Sequence, residues 1–241
     1  MWQAAKKQLK RFVRPGYINY IDVGAAGPLQ NPWKRHQSKI KIWLQFEPND
    51  DGIRRDENKI SVDAAIWHKN EEREFYVIGA KGYGSSLLEP NFEYVRENYE
   101  ELRHHGNPKM AETWFDRTVI QETHTLTTRS LDDVLDELGQ HDLYHFLKID
   151  VQGADYYVLK GAERLLSGSC IGIQTEQFIY PLYKDSVLLD ETTEYLSEFG
   201  FELVKKFPAH GTFDSQHDCL YLKTGIDNHV SRSIRTMYEI D

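Results

Sequence analysis

Four acids stand where apolar runs end: Asp22 in YIDVG (20–24), Glu47 in WLQFEP (43–48), Asp150 in FLKIDV (146–151) and Glu176 in GIQTEQF (172–178). Carboxylates at such positions accept hydrogen bonds, attract cations and take up protons. In an open parallel sheet, ligands bind beyond the carboxyl ends of the strands. Gly24 and Gly27 follow the first run, and a glycine there lets the backbone turn sharply and approach a ligand closely. Pro28 suits the first turn of a helix, whose N-terminus favours an anionic group. The spacing is G-x-x-G, not the G-x-G-x-x-G of dinucleotide folds.

Asp22 carries the choice of ligand further. A carboxylate at this turn repels a pyrophosphate and attracts the ammonium and sulfonium of S-adenosylmethionine. Glu47 is placed to accept from ribose hydroxyls, a role common to both classes of cofactor. Asp63 is placed to accept from an adenine amino group, with Ala64 and Ala65 leaving room for the ring. Asp150 and Glu176 lie on runs that adjacent strands would hold ~4.8 Å apart. Paired acids share a proton and supply a general base, or hold a divalent cation through oxygen ligands. Each also has a structural alternative, as a helix cap or as a partner of Lys148. No His/Cys cluster has zinc spacing, since His104 and His105 are adjacent and the rest are scattered.

Two loops offer acceptor contacts. KGYGSSLLEPN (81–91) presents Tyr83, Ser85 and Ser86, and YPLYK (180–184) presents Tyr180 and Tyr183, whose rings suit sugar C–H faces or simple packing. Trp33 reads as packing beneath the glycine turn.

The elements that must position these residues alternate between strand and helix patterns, the mark of an α/β chain. Strands are expected at 17–24, 40–48, 59–67, 144–151, 170–178, 201–207 and 217–223. The last two look antiparallel. Residues 73–79 read as a returning ribbon and 118–131 as an alternating antiparallel strand. Helices are expected at 90–105, from Ser130 to a stop at Gly139, at 153–168, and at 187–199 ending at Gly200. The last residues read as a loosely held helix.

One main domain is expected at 17–223, with a basic N-terminal extension (1–16) and a C-terminal tail or helix (224–241). The extension carries Lys6, Lys7, Lys10, Arg11 and Arg14 among Leu9, Phe12 and Val13. It reads as a solvated helix packed by Leu9 and Phe12, or as a weak contact with an anionic membrane surface. No secretory signal and no spanning run is legible. The formal charge of −9 argues against a nucleic-acid partner. Cys170 and Cys219 sit in apolar runs as buried thiols, which fits a reducing, cytoplasmic compartment.

In order along the chain, YIDVGAAGPLQNPW, FEPND, GSSLLEPN, RSLDDVL, FLKIDVQGADYYVLKGAERLL, TEQFIYPLY and FGFELV resemble the FkbM-type family of S-adenosylmethionine-dependent methyltransferases. The likeness spans roughly residues 17 to 223, and its ordered combination is far more specific than any single block. It implies a Rossmann-like methyltransferase fold: a mostly parallel seven-stranded sheet with an antiparallel C-terminal strand and helices on both faces. It implies methyl transfer to a hydroxyl of a sugar, glycan or small metabolite. Asp22, Gly24, Ala25 and Gly27 would then line the methionine part of the cofactor, Glu47 would hold the ribose, and Asp63 and Ala65 would lie near the adenine. Asp150 would be the base, with Glu176 second, or both would ligate a divalent metal. Two departures stand out: the second glycine is shifted by one residue, and Gln152 replaces a frequent Glu. A nicotinamide-dependent oxidoreductase and a non-catalytic cofactor-binding module are the rival readings.

Overall fold

The computed structural model describes residues 17–25, 27–48, 53–80, 82, 84–140 and 142–240. The basic extension and Tyr83 lie outside these. Eleven strands run in chain order among the described residues: β1 (Ile18–Val23), β2 (Ile40–Phe46), β3 (Ile53–Asp56), β4 (Lys59–Val62), β5 (Ala65–Trp67), β6 (Glu72–Ile78), β7 (Ile120–Ser130), β8 (Phe146–Ile149), β9 (Gly172–Phe178), β10 (Phe201–Lys206) and β11 (Gln216–Lys223).

Eight of them form one mixed sheet in the order β10-β11-β9-β8-β1-β2-β4-β3. β9, β8, β1, β2 and β4 are mutually parallel, and β11 is antiparallel to both of its neighbours. The expected seven strands therefore become eight. The addition is β3, an antiparallel edge partner of β4 joined to it by a turn at Glu57–Asn58. Its residues are all exposed and include Arg54, Arg55 and Asp56, charges that discourage edge-to-edge pairing.

The run at 59–67 is not one strand. The chain leaves the large sheet after Val62 and enters a second, three-stranded sheet in the order β5-β7-β6. β7 is the long alternating strand expected at 118–131, and β6 is the returning ribbon.

Alternation along the strands sends side chains to two cores. Ile21, Val23, Leu147, Ile149, Cys219 and Tyr221 pack with the helices Leu131–Glu137, Asp155–Lys160, Glu163–Ser167 and Leu189–Glu198. Ile18, Tyr20, Phe146, Leu220 and Leu222 pack on the other face with Trp33 and the helix His229–Tyr238. The helix expected at 153–168 is broken at Gly161, where a Cβ would lie 2.1 Å from the Trp67 carbonyl oxygen. Only glycine permits that approach to the second sheet.

The terminal helix is firmly seated, contrary to expectation. Val230, Ile234, Met237 and Tyr238 recur at helical spacing and are all buried. Trp33 Nε1 donates to the Tyr238 hydroxyl at 2.8 Å, and that hydroxyl donates to Gln174 Oε1 at 2.5 Å. Trp33 packs in this core, its ring 4.5 Å from Tyr20 and 4.6 Å from Phe146.

Candidate active site

Strand register explains why the acids meet. Val23 pairs with Phe46 and Ile149, Phe46 with Val62, and Ile149 with Thr175. The next residue on each strand is Gly24, Glu47, Asp150, Asp63 or Glu176. These positions, Gly24 and four acids, therefore form one row toward the carboxyl ends of five parallel strands, and Asp22 sits further back on β1 opposite Lys148.

A cleft of about 510 Å3 opens at that edge. Asp22, Gly24, Ala25, Gly27, Glu47 and Asp150 line it, as do Ala65, Ser85 and Ser86. Its apolar wall is Ala64, Ala65 and Ile66, where the chain crosses between the two sheets. Gly24 has φ +79°, and a Cβ there would fall 2.0 Å from the Asp150 carbonyl oxygen. A Cβ on Gly27 would meet no atom within 4 Å, so the turn faces open space. Asp63 is exposed and lies outside the lining. Ser85 Oγ accepts from the Ile78 amide at 3.1 Å. Ser86 Oγ donates to the Gln152 carbonyl at 2.9 Å and accepts from the Leu88 amide at 3.0 Å. Both serines shape the loop as well as facing the cleft.

The floor is more nearly balanced in charge than Asp22 alone implies. Lys148 Nζ lies 3.2 Å from Asp22 Oδ1 and 3.4 Å from Asp150 Oδ2. Burial disfavours the ammonium, but the two carboxylates outweigh it and raise the Lys148 pKa. Burial raises the Asp22 pKa, with Lys148 opposing. With all three ionised, the group carries one negative charge. Asp22 Oδ1 is buried and has no hydrogen bond of good geometry despite that ion pair.

Glu176 stands behind this floor and does not line the cleft. Gln152 Nε2 donates to Asp150 Oδ1 at 3.1 Å and to Glu176 Oε2 at 3.0 Å. Gln216 Nε2 donates to Glu176 Oε1 at 2.7 Å. The two acids are thus bridged by an amide donor. Burial, then Asp150 and Asp155, push the Glu176 pKa well up. Asp155 is buried and accepts from Thr175 Oγ1 at 2.8 Å and from the Glu176 amide at 3.2 Å. Burial raises its pKa to about 7. Among the described residues, no group of three or more His, Cys, Asp or Glu is arranged to hold a metal ion.

Tyr183 is buried, its hydroxyl donating to the Gly84 carbonyl at 2.9 Å, and it lines a second cleft rather than the first. Tyr180 is half-buried near His105 and lines neither. Gln216 and Asp155 are absent from the sequence expectations. Asp155 is hidden because it opens a helix while its partners Thr175 and Glu176 lie on β9, distant in the chain, and Gln216 because a glutamine has no charge to draw notice.

No helix of the described residues is long and apolar enough to cross a membrane. No curated protein sequence matches the chain. Among solved structures, the crystal structure of a methyltransferase FkbM from Methylobacillus flagellatus KT is 15% identical, with a TM-score of 0.47. The match covers 86% of this chain and 44% of that one, so the chain spans less than half the length of that structure. A model of the methyltransferase FkbM domain matches residues 22–203, from the first acid of the cleft to β10. On that match, which takes in every described residue that lines the cleft, the chain belongs to the methyltransferase FkbM domain family.

Proposed function

We propose that the chain is an S-adenosylmethionine-dependent methyltransferase acting on a hydroxyl oxygen of a sugar, glycan or small metabolite. The observation that carries this is the cleft at the carboxyl ends of β1, β2 and β8, with one excess negative charge on its floor. Its residues suit the cofactor. Asp22 keeps a buried oxygen without a good hydrogen bond, and Gly27 opens onto free space. Asp22, Gly24, Ala25 and Gly27 would hold the amino-acid part. Glu47 would hold the ribose, and Ala64, Ala65 and Ile66 would bound the adenine. When bound, S-adenosylmethionine supplies a methyl group already activated on a sulfonium.

The chain's own task is then alignment and deprotonation. Asp150 lines the cleft and is held from two sides by Lys148 and Gln152. It is the group placed to take the acceptor's hydroxyl proton, a contribution typically about 10²–10⁴ in rate. Glu176, behind Gln152, tunes the field around Asp150 rather than meeting the acceptor.

Thermal unfolding with ligands tests the reading. S-adenosylhomocysteine should raise the melting temperature in proportion to saturation, and NAD should not. Stabilisation by NAD alone would make the chain a nicotinamide enzyme. Transfer of labelled methyl to a panel of sugars and glycans separates a catalyst from a silent binding module.

A further inference from the structure

A second cleft, of about 520 Å3, lies on the far side of Gln152. Gln152 lines both clefts, and its side chain begins a hydrogen-bonded series from Asp150 through Glu176 to Gln216. Gln216 lines the second cleft as well. Gln152 is thus a wall residue shared by the two clefts. We propose that this second cleft is the acceptor site and that it takes an uncharged, polyhydroxylated ring, a neutral glycoside. The inference rests on the methyltransferase reading and narrows its acceptor.

The lining argues for the class. Thr118, Gln121, Gln152, Thr212, Ser215 and Gln216 are uncharged polar residues of the lining, several of them also bonded within the protein, as Thr118 is to Trp114, Thr212 to Arg117 and Gln216 to Glu176. Trp114, Phe178 and Tyr183 supply aromatic surface, with Phe178 and Tyr183 edge to face at 5.6 Å. Amides and hydroxyls beside aromatic rings match the alternating polar edges and C–H faces of a pyranose. The volume falls in the roughly 300–1,000 Å3 range of small-ligand sites.

Charge argues against an anionic acceptor. Among the described residues, Arg117 is the one Lys or Arg of this lining, and two of its three guanidinium nitrogens are engaged. Nε donates to Thr113 Oγ1 at 3.1 Å, and Nη2 donates to the Met110 carbonyl at 2.8 Å and to Thr212 Oγ1 at 3.0 Å. Asp116 lines the same cleft and offsets the charge. Asp150 and Glu176 stand behind the shared wall. A phosphate or carboxylate would therefore meet described lining residues with no net positive charge, close to carboxyl groups that repel it.

Saturation-transfer NMR on the full chain, saturated with S-adenosylhomocysteine, tests this. The neutral probes are the methyl glycosides of glucose, galactose, mannose and rhamnose. The charged probes are methyl glucuronide, glucose 6-phosphate and UDP-glucose. At least one neutral glycoside should bind, and more strongly than every charged probe. Gln216→Ala and Gln121→Trp should each weaken it about fivefold or more, the weight of roughly one hydrogen bond. Both should keep the thermal shift given by S-adenosylhomocysteine. Weakening in either folded variant supports the assignment. Absence of neutral binding, stronger binding of a charged probe, or unchanged binding in both variants overturns it. Failure of S-adenosylhomocysteine to stabilise the wild-type chain would instead strike the cofactor reading, whatever the glycosides do.

Discussion

Lys148 stands directly across the β1–β8 pair from Asp22, with its Nζ 3.2 Å from Oδ1. Both side chains are almost fully buried. Removing one partner of such a pair leaves an uncompensated charge and costs about 3–5 kcal/mol. Lys148→Met should lower stability by that order in urea unfolding. Adding Asp22→Asn to the same chain should restore part of the loss. Equal stability of the single and double variants would mean that the ion pair is not what couples the strands.

Asp150→Asn should keep the thermal shift caused by S-adenosylhomocysteine and lose about 10²–10⁴ in methyl transfer. The carboxamide retains the shape of the cleft floor but takes no proton. Turnover within a few-fold of wild type would remove Asp150 from the base role.

Asp155 gives a pH prediction with a definite sign. Its pKa in the folded chain is about 7, above the roughly 3.9 of an unfolded aspartate. Between those values the native state binds more protons than the unfolded state. Stability therefore falls as pH rises from about 4 through about 7. Asp155→Asn removes that ionisation. Melting temperatures taken across this window should show a shallower decline in the variant, and parallel curves would contradict the assignment.

Gly24→Ala should destabilise the chain by about 2–3 kcal/mol and abolish the cofactor shift. The new methyl would fall 2.0 Å from the Asp150 carbonyl oxygen, at a backbone φ of +79°. Denaturant unfolding with and without S-adenosylhomocysteine measures both effects.

The row of acids was legible because it follows a local rule: each ends a run of strand-forming residues. Asp22, Glu47 and Asp150 reach the cleft for that reason. What a local rule misses is pairing between strands. Nothing beside Lys148 in the chain reveals that Asp22 faces it, so the floor reads as more negative than it is. The run at 59–67 looks continuous because β4 and β5 are both rich in buried apolar residues while belonging to different sheets. The segment 106–117 has no apolar run of strand or helix length, yet holds two short helices, Pro108–Glu112 and Trp114–Arg117. Asn107 caps the first, and buried Trp114 anchors the second. The terminal helix was underestimated for the opposite reason. Its apolar residues have clear helical spacing, but their partners Trp33 and Phe146 are far away in sequence.

Tyr238→Phe should cost about 1–3 kcal/mol, because the lost hydroxyl leaves buried Trp33 Nε1 without its acceptor. Chemical denaturation reads the cost directly. A loss below a few tenths of a kcal/mol would mean that the indole N–H finds another partner.

That contact joins residues 205 apart in the chain. During synthesis, which proceeds from the N-terminus, the Trp33 indole gains this acceptor only once the chain has grown by a further 205 residues. A nascent chain can assemble β1, β2 and β4 early, yet the core face around Trp33, Tyr20 and Phe146 stays open until the helix His229–Tyr238 has emerged. Closure of that core should therefore come late, and a nascent chain ending shortly before Tyr238 would display a sheet with one face still uncovered.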